Sequence, residues 1–242
     1  MGPGVFEYIF VALVCFFASF VQGTSGFGSA LVAMPLLLIV LPARTATPLC
    51  VLMGVIITVD LTRRLYRHID RTGLLLLGAG CVPGIALGIY LLGNWNDALM
   101  RRLLGVVLAC YAAWSLFVRV PKVSPGRMWG LAAGLATGTL GAALSTGGPP
   151  AIIYCTLQAW DRDRMKATLS AFFLFTGSVT VMAHWVAGFT TATVLKLFVV
   201  SIVPVLLGTW LGTVVYDRMS EHGYVRVLLS LLLIAGLLLV IS

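Results

Sequence analysis

Two short stretches concentrate the residues that could do chemistry. Gln22-Gly23-Thr24-Ser25-Gly26-Phe27-Gly28-Ser29 and Ser145-Thr146-Gly147-Gly148-Pro149-Pro150 put hydroxyls, an amide and helix-breaking glycine and proline into otherwise apolar sequence. Hydroxyls and an amide hold a ligand by hydrogen bonds. A helix that restarts after such a break adds free N–H groups and the positive end of its dipole. The ligand that this chemistry suits is an anion, and small residues let the backbone approach it closely.

The elements that position these residues must be membrane helices. Of the 242 residues 60% are hydrophobic and 10% charged, and apolar runs recur from Val5 to Ile241, which a soluble domain could not hide. In hydrocarbon a broken helix leaves N–H and C=O groups unsatisfied at several kcal/mol each, so a break is tolerated only where it lines protein or a wet cavity. The first ten residues carry Glu7 and no Lys or Arg, the wrong charge for a signal-peptide n-region, so the first apolar run is expected to be retained. Five cysteines, an odd number with no C-x-x-C, all sit in apolar runs and read as small buried residues. His68, His184 and His222 lie far apart, so neither a metal site nor a cofactor is indicated.

Apolar runs bounded by charged or turn-forming residues give ten segments, about 5–22, 25–41, 45–67, 73–93, 99–118, 127–145, 148–160, 164–187, 193–216 and 222–242. They repeat at half the chain length. Gly26-Phe27-Gly28-Ser29 falls on Ser145-Thr146-Gly147-Gly148 at an offset of 119, and Ala46-Thr47 and Val82-Pro83 fall on Ala167-Thr168 and Val203-Pro204 at 121. Gly84-x-x-x-Gly88 falls on Gly208-x-x-x-Gly212, and Arg102 on Arg226, at 124. The expected units are residues 1–120 and 121–242, two repeats within one membrane domain.

Charge sets their orientation. If the first two segments of each repeat form a hairpin that enters and leaves on one side, followed by three spanning helices, Lys and Arg divide 12 to 4 between the faces; a single crossing by each pair gives 8 to 8. The positive-inside rule prefers the first arrangement, with both termini outside and residues 63–71, 119–127 and 161–166 cytoplasmic. An odd number of crossings turns the second repeat upside down, as in many transporters. Ten full crossings keep the same parity. The expected fold is an all-α polytopic membrane protein of two inverted-topology repeats, each a broken-helix hairpin plus three transmembrane helices.

Gly26-Phe27-Gly28-Ser29 followed by Met34-Pro35-Leu36 resembles the first-repeat signature of the TauE/SafE sulfite-exporter family, and Gly147-Gly148-Pro149-Pro150 resembles its second. Repeat length, Pro83 with its glycines and the basic loop at 63–71 extend the resemblance over nearly the whole chain. The chain departs from the family pattern at Ser29, where a second glycine is usual, and at Ser145, which replaces a leading glycine. What the resemblance implies is a secondary transporter of the bacterial plasma (inner) membrane and no enzyme. It would move sulfite, sulfoacetate or another sulfonate or small organic anion, with export as the expected direction. Its partners would be that anion and lipid, with no nucleic acid and a homodimer left open.

The candidate substrate-binding residues are Gln22, Thr24, Ser25, Gly26, Gly28, Ser29, Ser145, Thr146, Gly147 and Gly148. Leucine at Gly28 or Gly147 should then fill the anion's space and spare the fold, while at Gly84 it should cost folded protein. Small-x-x-x-small patterns otherwise serve helix packing, which is the reading for Gly84/Gly88 and Gly208/Gly212, and Thr137 and Thr139 read as packing hydroxyls. Asp60, three and four residues before Arg63 and Arg64, reads as one end of a helical ion pair, and Lys196 and Arg44 as cations snorkelling from helix ends. His184 either titrates or packs. A rival reading takes Gly23-Thr24-Ser25-Gly26 as a G-x-S-G motif similar to that of rhomboid intramembrane proteases, with Ser25 activated by His184. An anion channel on the same site leaves the same pattern.

Overall fold

A computed structural model of the chain describes residues 4–25, 28–118, 123, 125–216 and 221–241. They form ten α-helices: α1 (Val5–Ser25), α2 (Ser29–Val40), α3 (Ala43–Leu65), α4 (Arg71–Asn94), α5 (Asp97–Phe117), α6 (Arg127–Leu144), α7 (Gly148–Leu157), α8 (Arg162–Val186), α9 (Ala192–Tyr216) and α10 (Glu221–Ile241). A single 3-10 turn, Tyr66–His68, follows α3, and there is no strand among the described residues. Among them α1, α4, α5, α8 and α9 are long and apolar enough to cross a membrane. The fold is all-helical and polytopic.

The hairpins are less even than the apolar runs implied. α1 has 21 residues and α6 18, but α2 has 12 and α7 10, about 18 and 15 Å of rise. The first helix continues through Gly23 and Thr24 to Ser25 because that turn is packed: a side chain at Gly23 would meet the Thr209 carbonyl of α9 at 2.5 Å.

Glycines bring the helices together in two matching pairs. On α4, side chains at Gly80, Gly84 and Gly88 would strike the backbone of Leu131, Leu135 and Thr139 on α6, while Gly134 and Gly138 of α6 sit as close to Leu77 and Cys81. The same register joins Gly208 and Gly212 of α9 to Phe16 and Phe20 of α1. Within each pair both sequences ascend together, so the helices run parallel, and small residues permit backbone contact that Ala would block.

Two further pairs, α3 with α8 and α5 with α10, run antiparallel. The start of α8 lies beside the turn after α3, where the Asp70 N–H donates to Thr168 Oγ1 at 2.9 Å. In α5 and α10, Gly105 faces Leu239 and Val240 while Gly236 faces Leu108 and Ala109.

Side chains finish the helix ends. Asp70, Asn96 and Asp161 cap α4, α5 and α8, accepting from the N–H groups of Gly73 at 2.6 Å, Leu99 at 2.9 Å and Arg164 at 2.7 Å. Arg44, exposed at the start of α3 as a snorkelling cation would be, also donates to the carbonyls of Leu92 and Gly93 at the end of α4, and Arg101 donates to Leu38 O of α2 at 2.7 Å. Cations there oppose the negative end of each dipole.

Asp70 also pairs with Arg164, whose guanidinium lies 5.6 Å from the centre of the Trp160 ring. Partial burial pushes the Asp70 carboxyl up, but the Arg164 hydrogen bond, the Gly73 N–H and the Arg164 charge outweigh it and hold it below the ordinary range. A depressed folded-state value stabilises the fold above the unfolded pKa of about 3.9, and that stabilisation is lost as pH falls through the folded value. Asp70→Asn keeps a capping acceptor but loses the charge. It is expected to lower the unfolding temperature in detergent at pH 7, with the gap from the parent closing below about pH 4; a gap of constant size down to pH 3 would show that the charge is irrelevant.

Candidate functional site

The two breaks meet at one cavity of about 110 Å³, walled by α3 and α8 and lined by the starts of α2 and α7. That is room for several water molecules and far less than the roughly 300 Å³ at which pockets for drug-sized ligands begin.

Its charge comes from backbone. α2 starts after Gly28, whose φ of 98° is open to glycine and costly for other residues. The first four N–H groups of a helix have no intrahelical partner, and in α2 these belong to Gly28, Ser29, Ala30 and Leu31, all of which line the cavity. One of the four, Ser29 N–H, donates to Gln22 Oε1 at 3.3 Å, so the end of the Gln22 amide free of that bond is the donor NH2 group. α7 differs because Pro149 and Pro150 have no N–H to offer. Its orphan donors are confined to Gly147 and Gly148, both lining the cavity. Two half-helix dipoles, each worth about half a positive charge, converge there without one cationic side chain in the lining.

The hydroxyls fall into two groups. Thr58 Oγ1 donates to Gly54 O at 2.8 Å and Thr176 Oγ1 to Phe172 O at 2.8 Å, within their own helices. Thr137, Thr146 and Thr180 are each 1% exposed, line the cavity and have no hydrogen-bond partner for Oγ1. A buried hydroxyl left unmet costs about 1–3 kcal/mol, so these three are free to meet water or a ligand that enters the cavity. Leu31, Val51, Val55, Ile152 and Phe173 supply an apolar wall.

The structure therefore brings Gln22, Gly28, Ser29, Ser145, Thr146, Gly147 and Gly148 together. It leaves Thr24 out: the helix continues past it, and its hydroxyl donates to Val21 O at 2.8 Å. The side chain of Ser25, Gly26 and the side chain of Asp60 lie outside what is described. Thr137, expected to serve packing, is a lining hydroxyl, whereas Thr139 donates to Leu135 O at 2.9 Å as a packing residue would. Sequence reasoning also missed Thr180. A signal for it exists in the repeat: Val51, Gly54, Val55 and Thr58 of α3 stand against Phe173, Thr176, Gly177 and Thr180 of α8, all at an offset of 122 and all in the lining.

The rival dyad gains nothing from this geometry, since His184 Nε2 lies 2.9 Å from the Ala142 carbonyl in a buried bond. Among the described residues no group of His, Cys, Asp and Glu is placed to hold a metal.

A family model described as Sulfite exporter TauE/SafE matches residues 11–239 of the chain. No curated protein and no solved structure matches it.

Proposed function

The chain belongs to the TauE/SafE sulfite exporter family, a family of membrane transporters of sulfite and related anions, and from that premise we propose that it is a secondary transporter exporting a small oxyanion or sulfonate across the bacterial plasma membrane. The anion would sit in the cavity between α3 and α8, on the N–H groups of α2 and α7 and the hydroxyls of Thr137, Thr146 and Thr180. The observation that carries this reading is the convergence of two helix N-termini with three hydroxyls that have no partner in the protein, and no acidic side chain among the described lining residues. We also read residues 1–120 and 121–242 as inverted repeats. The matching pairs α4/α6 and α9/α1, and the antiparallel contact of α3 with α8 and of α5 with α10, support that reading.

The test is calorimetric titration of purified protein with sulfite, sulfate, sulfoacetate and taurine, followed by flux in proteoliposomes. Binding and flux of at least one of the first three are expected. Taurine, whose ammonium finds no carboxylate in the lining, should bind more weakly than sulfoacetate. Absence of both binding and flux for all four would refute the reading.

A further inference from the structure

The last turn of a helix leaves carbonyls that no N–H of its own can reach. At the end of α6 two are taken by the chain that follows, Gly141 O by Ser145 N–H at 2.8 Å and Leu140 O by Thr146 N–H at 3.3 Å. The next two are taken from other helices. His184 of α8 donates through Nε2 to Ala142 O at 2.9 Å, and Thr47 of α3 donates through Oγ1 to Ala143 O at 3.1 Å. A carbonyl only accepts, so the imidazole carries a proton on Nε2. α3 and α8 are the cavity walls, and Ala143 is two residues before Ser145, which lines it. The end of α6 is tied across the gap between the walls, at the end of the site where α3 begins and α8 finishes.

The repeat supplies the comparison. His184 corresponds to Thr62 at the same offset of 122 that relates the lining residues, and Thr47 corresponds to Thr168 at 121. In a symmetric molecule these two hydroxyls would hold the end of α1, the counterpart of α6. Neither does. Thr62 Oγ1 is buried without a partner, and Thr168 Oγ1 donates to Arg164 O of its own helix at 2.7 Å while accepting the Asp70 N–H. α6 packs on both α3 and α8, whereas the packing of α1 on either is slight, with Cys15 Sγ 3.4 Å from Met53 Sδ among its contacts. Among the described residues one end of the site is tied in this way and the other shows no such tie.

We propose that Thr47 and His184 are positioning residues that hold the α6–α7 break closed against α3 and α8, and that Thr62 and Thr168 take the end of α1 in the same way in the alternate state of the transport cycle. The state described here is shut at the α3-start end and free at the end bearing Asp70 and Arg164. Alternating access then consists of exchanging one tie for the other. This rests on the transport reading of the same site, which gives the exchange its purpose.

The test places a single cysteine at Val51, in the cavity lining, in full-length protein with Cys15, Cys50, Cys81, Cys110 and Cys155 replaced. It is reacted with an impermeant thiosulfonate from each face of oriented vesicles without added anion. The cysteine should react from the Asp70 face. Thr47→Val or His184→Phe should make reaction from the opposite face about tenfold faster, and Thr47→Ser and His184→Gln, which keep a donor, should restore the parent pattern. Equal reaction from both faces in the parent, or no change in the Val and Phe variants, would overturn the proposal. Should those two variants fail to fold, Thr62→Val decides. It removes a hydroxyl with no partner in this state, so anion affinity should be unchanged while turnover falls about tenfold; unchanged turnover rejects the exchange. One-sided labelling with no flux of any anion would instead retain the tie and reject the transport reading alone.

Discussion

Thr137→Val, Thr146→Val and Thr180→Val are each expected to weaken anion binding by about 10- to 100-fold while leaving the protein at least as stable as before. The two effects have one cause. Each hydroxyl is buried against the cavity with no partner in the protein, so an isosteric methyl breaks no bond within the protein and opens no void. A bound anion would meet the hydroxyl with a charge-assisted hydrogen bond worth about 1.5–3 kcal/mol, which the methyl cannot make. Calorimetric titration and thermal unfolding of the same detergent-solubilised samples measure both. Thr24→Val is the control, because that hydroxyl bonds to Val21 O and should leave affinity alone. Variants that melt lower and bind as tightly as the parent would make the three hydroxyls structural.

What the sequence disclosed here, and what it hid, follows from the range of the interaction involved. The glycine pairs Gly84/Gly88 and Gly208/Gly212 announce helix packing by spacing alone, and each turns out to face a carbonyl of the partner helix. The breaks are equally legible, because Gly28 in a left-handed conformation and Pro149-Pro150 after Gly147 are local backbone chemistry. Thr24 misleads for the same local reason: adjacency to a break does not turn a side chain toward it while the helix continues to Ser25.

Gly147 misleads more instructively. A side chain there would strike the Thr137 carbonyl and come within 3.1 Å of Gly141, so its replacement damages the hairpin before it fills the cavity. Gly148 is the position with room, its nearest neighbour being Ile152 Cδ1 at 3.5 Å. Thr137 and Thr180 were illegible because they lie within the long helices α6 and α8. Their role depends on which helices pack across from them, and no local spacing encodes that. For Thr180 the sequence held a pointer, since an offset of 122 sets it against Thr58, and both line the cavity.

An inside-negative potential is expected to drive the substrate outward without any coupling ion. No described residue lining the cavity carries a formal charge, so on those residues the empty site crosses the field neutral and the loaded site carries only the charge of its anion. Each elementary charge moved through 100 mV is worth about 2.3 kcal/mol, a concentration ratio of about 50, and a dianion doubles the energy and reaches about 2,000. A carrier driven by protons or sodium needs an anionic or readily titrated group that meets the substrate's path, and among the described residues the lining offers only the buried thiol of Cys50. Asp60 lies within an apolar segment of the sequence, and its spacing to Arg63 and Arg64 is that of a helical ion pair. In proteoliposomes, efflux of the bound anion should therefore accelerate severalfold when a potassium diffusion potential makes the lumen negative, and Asp60→Asn should leave that acceleration intact. Efflux indifferent to the potential but abolished by collapsing a pH gradient would mean that a proton travels with the anion. His184, one turn beyond Thr180 on α8, would then be the group to carry it.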